Sequence, residues 1–220
     1  MLIQYYGDFC FKITTKPGGR ATDDITIWTD PLPKGAGLRS PQGTPHILLL
    51  SHQEEKNSPE VKEETILLDI PGEYSTQGIG FQAYPSFADD VMGAKRGHNT
   101  FFAFESEELH LVYLGALGHE LSPEILDKLS HTDILFLPIG GEDTLSVALA
   151  ADLVKKIEPS IVIPMHFALP GLTKTGVGDK KAFCDALGIT PAESGQTKLT
   201  LKKKDLEGKS MEVVFLERGL

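Results

Sequence analysis

The apolar run His46-Ile47-Leu48-Leu49-Leu50 ends in Ser51-His52-Gln53-Glu54-Glu55-Lys56-Asn57, a loop dense in groups that move protons or hold cations. A second imidazole, His166, closes another apolar run, Ile161-Val162-Ile163-Pro164-Met165. Imidazoles and carboxylates delivered on loops after strands suit metal ligation or general acid–base work. Ser51, His52 and Glu54 do not make a local acid–base triad, because adjacent residues at a strand end point in different directions. No Gly-x-Ser-x-Gly elbow and no paired Cys/His spacing occurs, and Gly35-Ala36-Gly37 lacks the strand-then-helix context of a phosphate loop.

These groups need a scaffold, and the chain supplies one rich in short strands. Leu2–Tyr6, Cys10–Ile13 and Ile25–Trp28 read as an antiparallel meander broken by Gly, Pro and Asp turns, among them Pro17-Gly18-Gly19. Strands are expected at His46–Leu50, Thr65–Asp69, Gly78–Tyr84, Thr100–Glu105 and Leu109–Leu114. The second half changes rhythm. Ser122-Pro123-Glu124 opens a helix with serine at the cap and proline at its first position. Asp133–Leu137 is a strand, Thr144–Ile157 an alanine-rich helix, Ser160–Pro164 a strand and Lys180–Leu187 a surface helix. Thr197–Lys203 and Met211–Leu216 read as a closing hairpin, with Lys202–Lys204 at its solvated end.

Composition narrows the partners. With 220 residues, 40% of them hydrophobic, the chain is expected to form a single domain over residues 1–220. The formal charge of −10 disfavours nucleic acid and anionic membranes. No leader-like or membrane-spanning apolar run is seen, so a cytoplasmic location is expected. Cys10 and Cys184 sit in separate apolar settings and read as buried thiols.

The order of these pieces resembles the metallo-β-lactamase superfamily, and within it the zinc-dependent hydrolase-like branch near the ascorbate-6-phosphate lactonases. The likeness is carried by Gly7-Asp8-Phe9-Cys10-Phe11, Thr29-Asp30-Pro31, Gly37-Leu38-Arg39, Pro71-Gly72-Glu73-Tyr74 and Gly93-Ala94-Lys95-Arg96-Gly97-His98-Asn99-Thr100. It continues through Gly115-Ala116-Leu117-Gly118-His119, Pro138-Ile139-Gly140-Gly141 and Pro164-Met165-His166-Phe167. The resemblance implies an α/β (α+β) fold, a four-layer αββα sandwich. It also implies a cleft in which metal ions activate water and polarise the bond to be broken.

The ligand positions that the resemblance implies are mostly altered. The loop motif His-x-His-x-Asp-His falls on His52, Glu54, Lys56 and Asn57, so its first histidine alone is kept. The next ligand falls on Ala88, the aspartate that bridges both ions falls on Ala116, and the last histidine is His166. Five of seven positions are replaced, whereas a zinc site commonly needs at least three protein ligands. An ammonium at Lys56 repels a divalent ion and reads as a replacement for its charge. The expected cofactor is therefore none. The cleft is expected to involve His52, Glu54, Lys56, Asn57, Asp89, His119, Glu142, Asp143 and His166, with His52 and His166 as the candidates for acid–base work.

Two other readings stand beside this one. A rearranged site of His52, Glu54, Asp89 and His166 would hold one Zn or Mn ion and hydrolyse a phosphorylated or lactone-like substrate. Asp89, Asp90, Glu142 and Asp143 with Glu54 would alternatively make a hard oxygen site for Mg²⁺ or Ca²⁺. His119 either hydrogen-bonds inside the site or caps a helix entry, and the Lys95-Arg96-Gly97-His98 loop is either an anion-attracting loop or a solvated turn. A structural or interaction role, with a small-molecule ligand or a homo-oligomer as partner, is the third class.

Overall fold

The computed structural model describes residues 1–17, 23–52, 62–190 and 195–218. Two mixed sheets stack face to face, flanked by helices. The first strands alternate as the sequence does: β1 (Leu2–Gly7), β2 (Cys10–Thr15) and β3 (Ile25–Thr29) are antiparallel neighbours, with Ile3, Tyr5, Phe11, Ile13 and Ile27 fully buried. β4 (Ile47–Leu49) and β5 (Ile66–Leu68) then add in parallel to β3. The second sheet begins as an antiparallel meander, β6 (Gly72–Thr76), β7 (Ile79–Phe87), β8 (His98–Ser106) and β9 (Leu109–Tyr113). β10 (Ile134–Pro138) and β11 (Ile161–Met165) continue it in parallel, buried along their whole length as strands covered on both faces must be.

Helices supply the crossovers. α1 (Pro123–Lys128) follows Ser122, and α2 (Val147–Ile157) carries the chain from β10 to its parallel neighbour β11. The α2 helix starts later than its alanine-rich sequence suggests, because Ser146 caps it by accepting from the Leu149 amide. α3 (Lys180–Leu187) is capped by Asp179 and stopped by Gly188 in a left-handed conformation.

The expected C-terminal hairpin does not form. β12 (Lys198–Thr200) pairs antiparallel with β1 and closes the first sheet, while β13 (Glu212–Val213) pairs in parallel with β11 and closes the second. A 3₁₀ turn at Lys203–Leu206 bridges them, and Lys203 is tied to Asp133 at 2.7 Å rather than simply solvated. Two apolar runs flanking a turn read locally as a hairpin, yet each found a free edge in a different sheet.

The core lies between the sheets. Phe11 of one meets Phe136 of the other edge-on at 4.9 Å, and the Tyr113 hydroxyl oxygen lies 2.9 Å from the Phe9 carbonyl oxygen. Cys10 and Cys184 are both buried and unpaired. Among the described residues no helix is long and apolar enough to cross a membrane.

Candidate functional site

Strand ends converge at one edge of the sandwich. β1 runs into Asp8, β3 into Asp30 and β11 into His166, and β4 leads through Leu50 to Ser51 and His52. Three of these residues, Asp8, Asp30 and His166, hold positive φ values of 52°, 29° and 56°. Such backbone costs about 1–3 kcal/mol per residue and collects where function demands a particular side-chain placement.

Two hydrogen-bonded groups result. In the first, the His166 Nδ1–H donates to Asp8 Oδ1 at 2.5 Å, and the His166 main chain is pinned by its own amide on the Asp8 carbonyl at 2.9 Å. Burial alone would raise the Asp8 carboxyl. The hydrogen bond from His166 and the charges of His166, Lys174 and His52 outweigh it and hold the group below its usual value. Because Nδ1 is committed to Asp8, the other ring nitrogen is left to act, and Nε2 is buried with no hydrogen-bond partner among the described residues. Carboxylate–imidazole pairing of this kind fixes the tautomer and the ring orientation.

In the second group, Asp30 accepts from the Ser51 amide at 2.8 Å, the Ser51 hydroxyl at 2.5 Å and the Tyr113 hydroxyl at 2.5 Å. Burial dominates here and raises the Asp30 carboxyl despite the lowering influence of His52, Ser51 and Tyr113. The Tyr113 hydroxyl is pushed up too, chiefly by burial and then by the nearby Asp30 charge. With the Ser51 hydroxyl proton directed to Asp30, its oxygen receives His52 Nδ1 at 2.8 Å.

Phe9 packs against both imidazoles. Its ring stacks on His166 at 4.5 Å with planes 9° apart and meets His52 at 5.1 Å with planes 74° apart. At 3% exposure it is part of the core, not a mobile cover.

The opposite wall is packed shut by backbone. Ala88 and Ala116 are buried and offer no donor atom. The Asn99 side chain ties this wall together, accepting from the Ala116 amide at 2.8 Å and donating to Ser86 and the Leu114 carbonyl. A Cβ on Gly118 would lie 2.3 Å from the Ala88 carbonyl group, and one on Gly115 only 2.1 Å from Ser51. The 115–118 turn thus rests directly on both neighbouring loops.

The other expected site residues are placed as follows. Asp89 is buried, and its two oxygens accept from the amides of Val91, Gly93, Lys95 and Arg96 at 2.6–3.0 Å. Burial opposes ionisation, but these four donors bring its carboxyl down to about 2. The carboxylate folds its own loop, and the Arg96 side chain donates to the Ala88 carbonyl instead of projecting as an anion receptor. His119 accepts from the Phe87 amide through Nε2 at 3.1 Å and faces the Glu120 carbonyl through Nδ1 at 2.8 Å, joining its loop to the end of β7. Asp90 is exposed, 3.9 Å from Lys95; His98 is exposed against Phe87. Glu142 is exposed beside Gly176, and Asp143 reaches Lys174 at 4.0 Å. Glu54, Lys56 and Asn57 lie outside the described residues.

Among the described residues, no group of three or more His, Cys, Asp or Glu side chains is arranged to hold a metal ion. The donor chemistry agrees: Asp89 is saturated by amides, and positions 88 and 116 carry methyl groups. Sequence reasoning did not single out Asp8, Phe9, Asp30, Asn99 or Lys174 as site residues. For the first three the available signal was Gly7-Asp8-Phe9 and Thr29-Asp30-Pro31, each a polar residue set directly after an alternating strand.

Residues 2–166 match the beta-lactamase superfamily domain, and the chain belongs to that family. Its fold is shared with a protein from Thermotoga maritima assigned to the Zn-dependent hydrolases of the metallo-β-lactamase superfamily, at 26% identity, a TM-score of 0.76 and 99% coverage of both chains. A metal-dependent hydrolase structure from Parabacteroides distasonis is similar at 16% identity and a TM-score of 0.64, covering 99% of this chain and 93% of its own. In sequence, the chain is 29% identical over 126 residues to a metal-dependent hydrolase from Thermoplasma acidophilum, 57% of this chain and 56% of that one. It is 46% identical over 46 residues to a protein of Pyrococcus furiosus, 21% of this chain and 22% of the other. The chain thus spans about half or less of the length of these two relatives.

Proposed function

We propose that this protein is a catalytically altered member of its superfamily, working without the two-metal centre, and that its former active-site cleft binds a small ligand or a partner. The observation that supports this most is the donor set: buried positions 88 and 116 carry methyl groups, Asp89 is saturated by four amides, and among the described residues no group of three or more His, Cys, Asp or Glu side chains is arranged to hold an ion. The losses at five of seven ligand positions, Ala88 and Ala116 among them, are consistent with it. The relatives' metal-dependent hydrolysis is then ancestral chemistry, and the branch near the lactonases is a statement about descent.

A second reading keeps one ion, held by His52, Glu54, Asp89 and His166, in a working hydrolase for phosphorylated or lactone-like substrates. It is favoured by one feature: both histidines have Nδ1 backed by an oxygen partner, as metal-bound imidazoles do, and His166 Nε2 is unpartnered. The four amides on Asp89 count against it.

Elemental analysis after chelator-free purification, repeated after incubation with Zn²⁺, Mn²⁺ and Mg²⁺, separates the two. The first reading expects far less than one equivalent and no thermal stabilisation by added metal, since any ion bound to the native state alone must raise its melting temperature. One tight equivalent, lost on His52→Ala or His166→Ala, overturns it and makes a hydrolase screen the next step.

A further inference from the structure

The buried Asp8 carboxylate has a second oxygen that His166 does not satisfy. Lys174 Nζ stands 3.5 Å from this Oδ2, 4.0 Å from Asp143 and 5.3 Å from the centre of the Phe9 ring. An ammonium over an aromatic face gains from the ring quadrupole while its stem covers apolar surface.

Lys174 reaches this place on a strap, residues 168–178, that is fastened along its length. Thr173 donates its amide to the Ala36 carbonyl at 2.9 Å and its hydroxyl to the Gly35 carbonyl at 3.1 Å. Gly176 accepts from the Glu142 amide at 2.7 Å, and the Gly178 amide returns to the His166 carbonyl at 2.8 Å. Gly37, at φ 79°, lies so close that a Cβ there would be 2.0 Å from the Gly171 carbonyl oxygen. Gly35-Ala36-Gly37, without context as a phosphate loop, is thereby explained as the seat of the strap.

The geometry points to Lys174 as a tethered cation: the strap delivers an ammonium that neutralises Asp8 and Asp143 at the cleft, a positive charge supplied by the chain where its relatives are named for metal. Sequence reasoning gave this part to Lys56, which lies outside the described residues; the contacts of Lys174 suit it to the same part. This inference rests on the metal-free reading above. Its content is electrostatic, so the hydrocarbon stem alone must not suffice, whereas another cationic side chain must.

The test is a double-mutant cycle on the full chain by denaturant and thermal unfolding, with Lys174→Met, Lys174→Arg, Asp8→Asn and the Asp8→Asn/Lys174→Met pair. Lys174→Met is expected to lower the folding equilibrium constant about tenfold or more, Lys174→Arg to retain most of it, and Asp8→Asn to suppress the Lys174→Met loss at least about fivefold. Additive losses, or equal losses for Met and Arg, overturn the tethered cation. If Asp8→Asn prevents folding, Asp143→Asn replaces it in the same cycle, with coupling of the same sign expected and additivity again overturning. Wild-type protein carrying one equivalent of Zn²⁺ would instead overturn the metal-free reading, independently of the coupling.

Discussion

The two walls of the cleft have fared differently. On the wall built from Asp8, Asp30, Ser51, His52 and His166, strained backbone and short hydrogen bonds still aim polar groups inward. On the wall built from Ala88, Asn99, Gly115, Ala116 and Gly118, backbone rests on backbone and polar groups satisfy one another. Under the proposed metal-free reading, groups that back a ligand persist because unpairing a buried carboxylate is expensive, whereas positions that touch only a ligand have no such protection.

That contrast breaks first at its most buried members. Phe9→Ala opens a void beside both imidazoles and is expected to cost about 3–5 kcal/mol by urea unfolding; a cost under about 1 kcal/mol would mean that the ring does not anchor them as described. Asp30→Ala strands three donors in the core and is expected to cost about 3 kcal/mol or more. Because burial raises the Asp30 carboxyl, the native state holds its proton more tightly than the unfolded chain. Its contribution to stability therefore falls as pH rises from the usual carboxylate range through the raised value, and Asp30→Asn should remove that slope.

On the closed wall, Gly118→Ala must push apart the 88 and 118 loops and is expected to cost about 1–3 kcal/mol, read as a lower denaturation midpoint with unchanged slope. Asp89→Asn should leave the global fold and raise amide exchange at Val91, Gly93, Lys95 and Arg96. The depressed Asp89 carboxyl stabilises the loop fully above its usual value near 3.8, and this is lost as pH falls toward about 2. Met92→Ser, on an exposed tip of the same loop, should change stability by less than about 0.5 kcal/mol.

Most strands were legible because alternation, continuous apolar runs and turn residues act over a few neighbours, as in Leu2-Ile3-Gln4-Tyr5-Tyr6 and the Ile134–Pro138 run; β6 (Gly72–Thr76), short and largely exposed, was not expected. Sheet membership was not legible, since the same local pattern at Lys198–Thr200 and Glu212–Val213 serves two different sheets. At the cleft, His52 and His166 stood out by residue type and position after a strand. Phe9 did not, because an aromatic next to a turn reads as core, and only three-dimensional placement reveals that it touches both imidazoles. Lys174 sits in Gly171-Leu172-Thr173-Lys174-Thr175-Gly176, a segment without periodicity whose meaning depends on contacts with Asp8, 166 residues earlier in the chain.

The contact between Gly118 and the Ala88 carbonyl also limits how the two loops can move. With main chain against main chain, a shift of one loop must carry the other with it. Under the proposed metal-free reading, a larger donor side chain at buried Ala88 or Ala116 would therefore disturb both loops at once. The pair shifts, or resists shifting, as one unit.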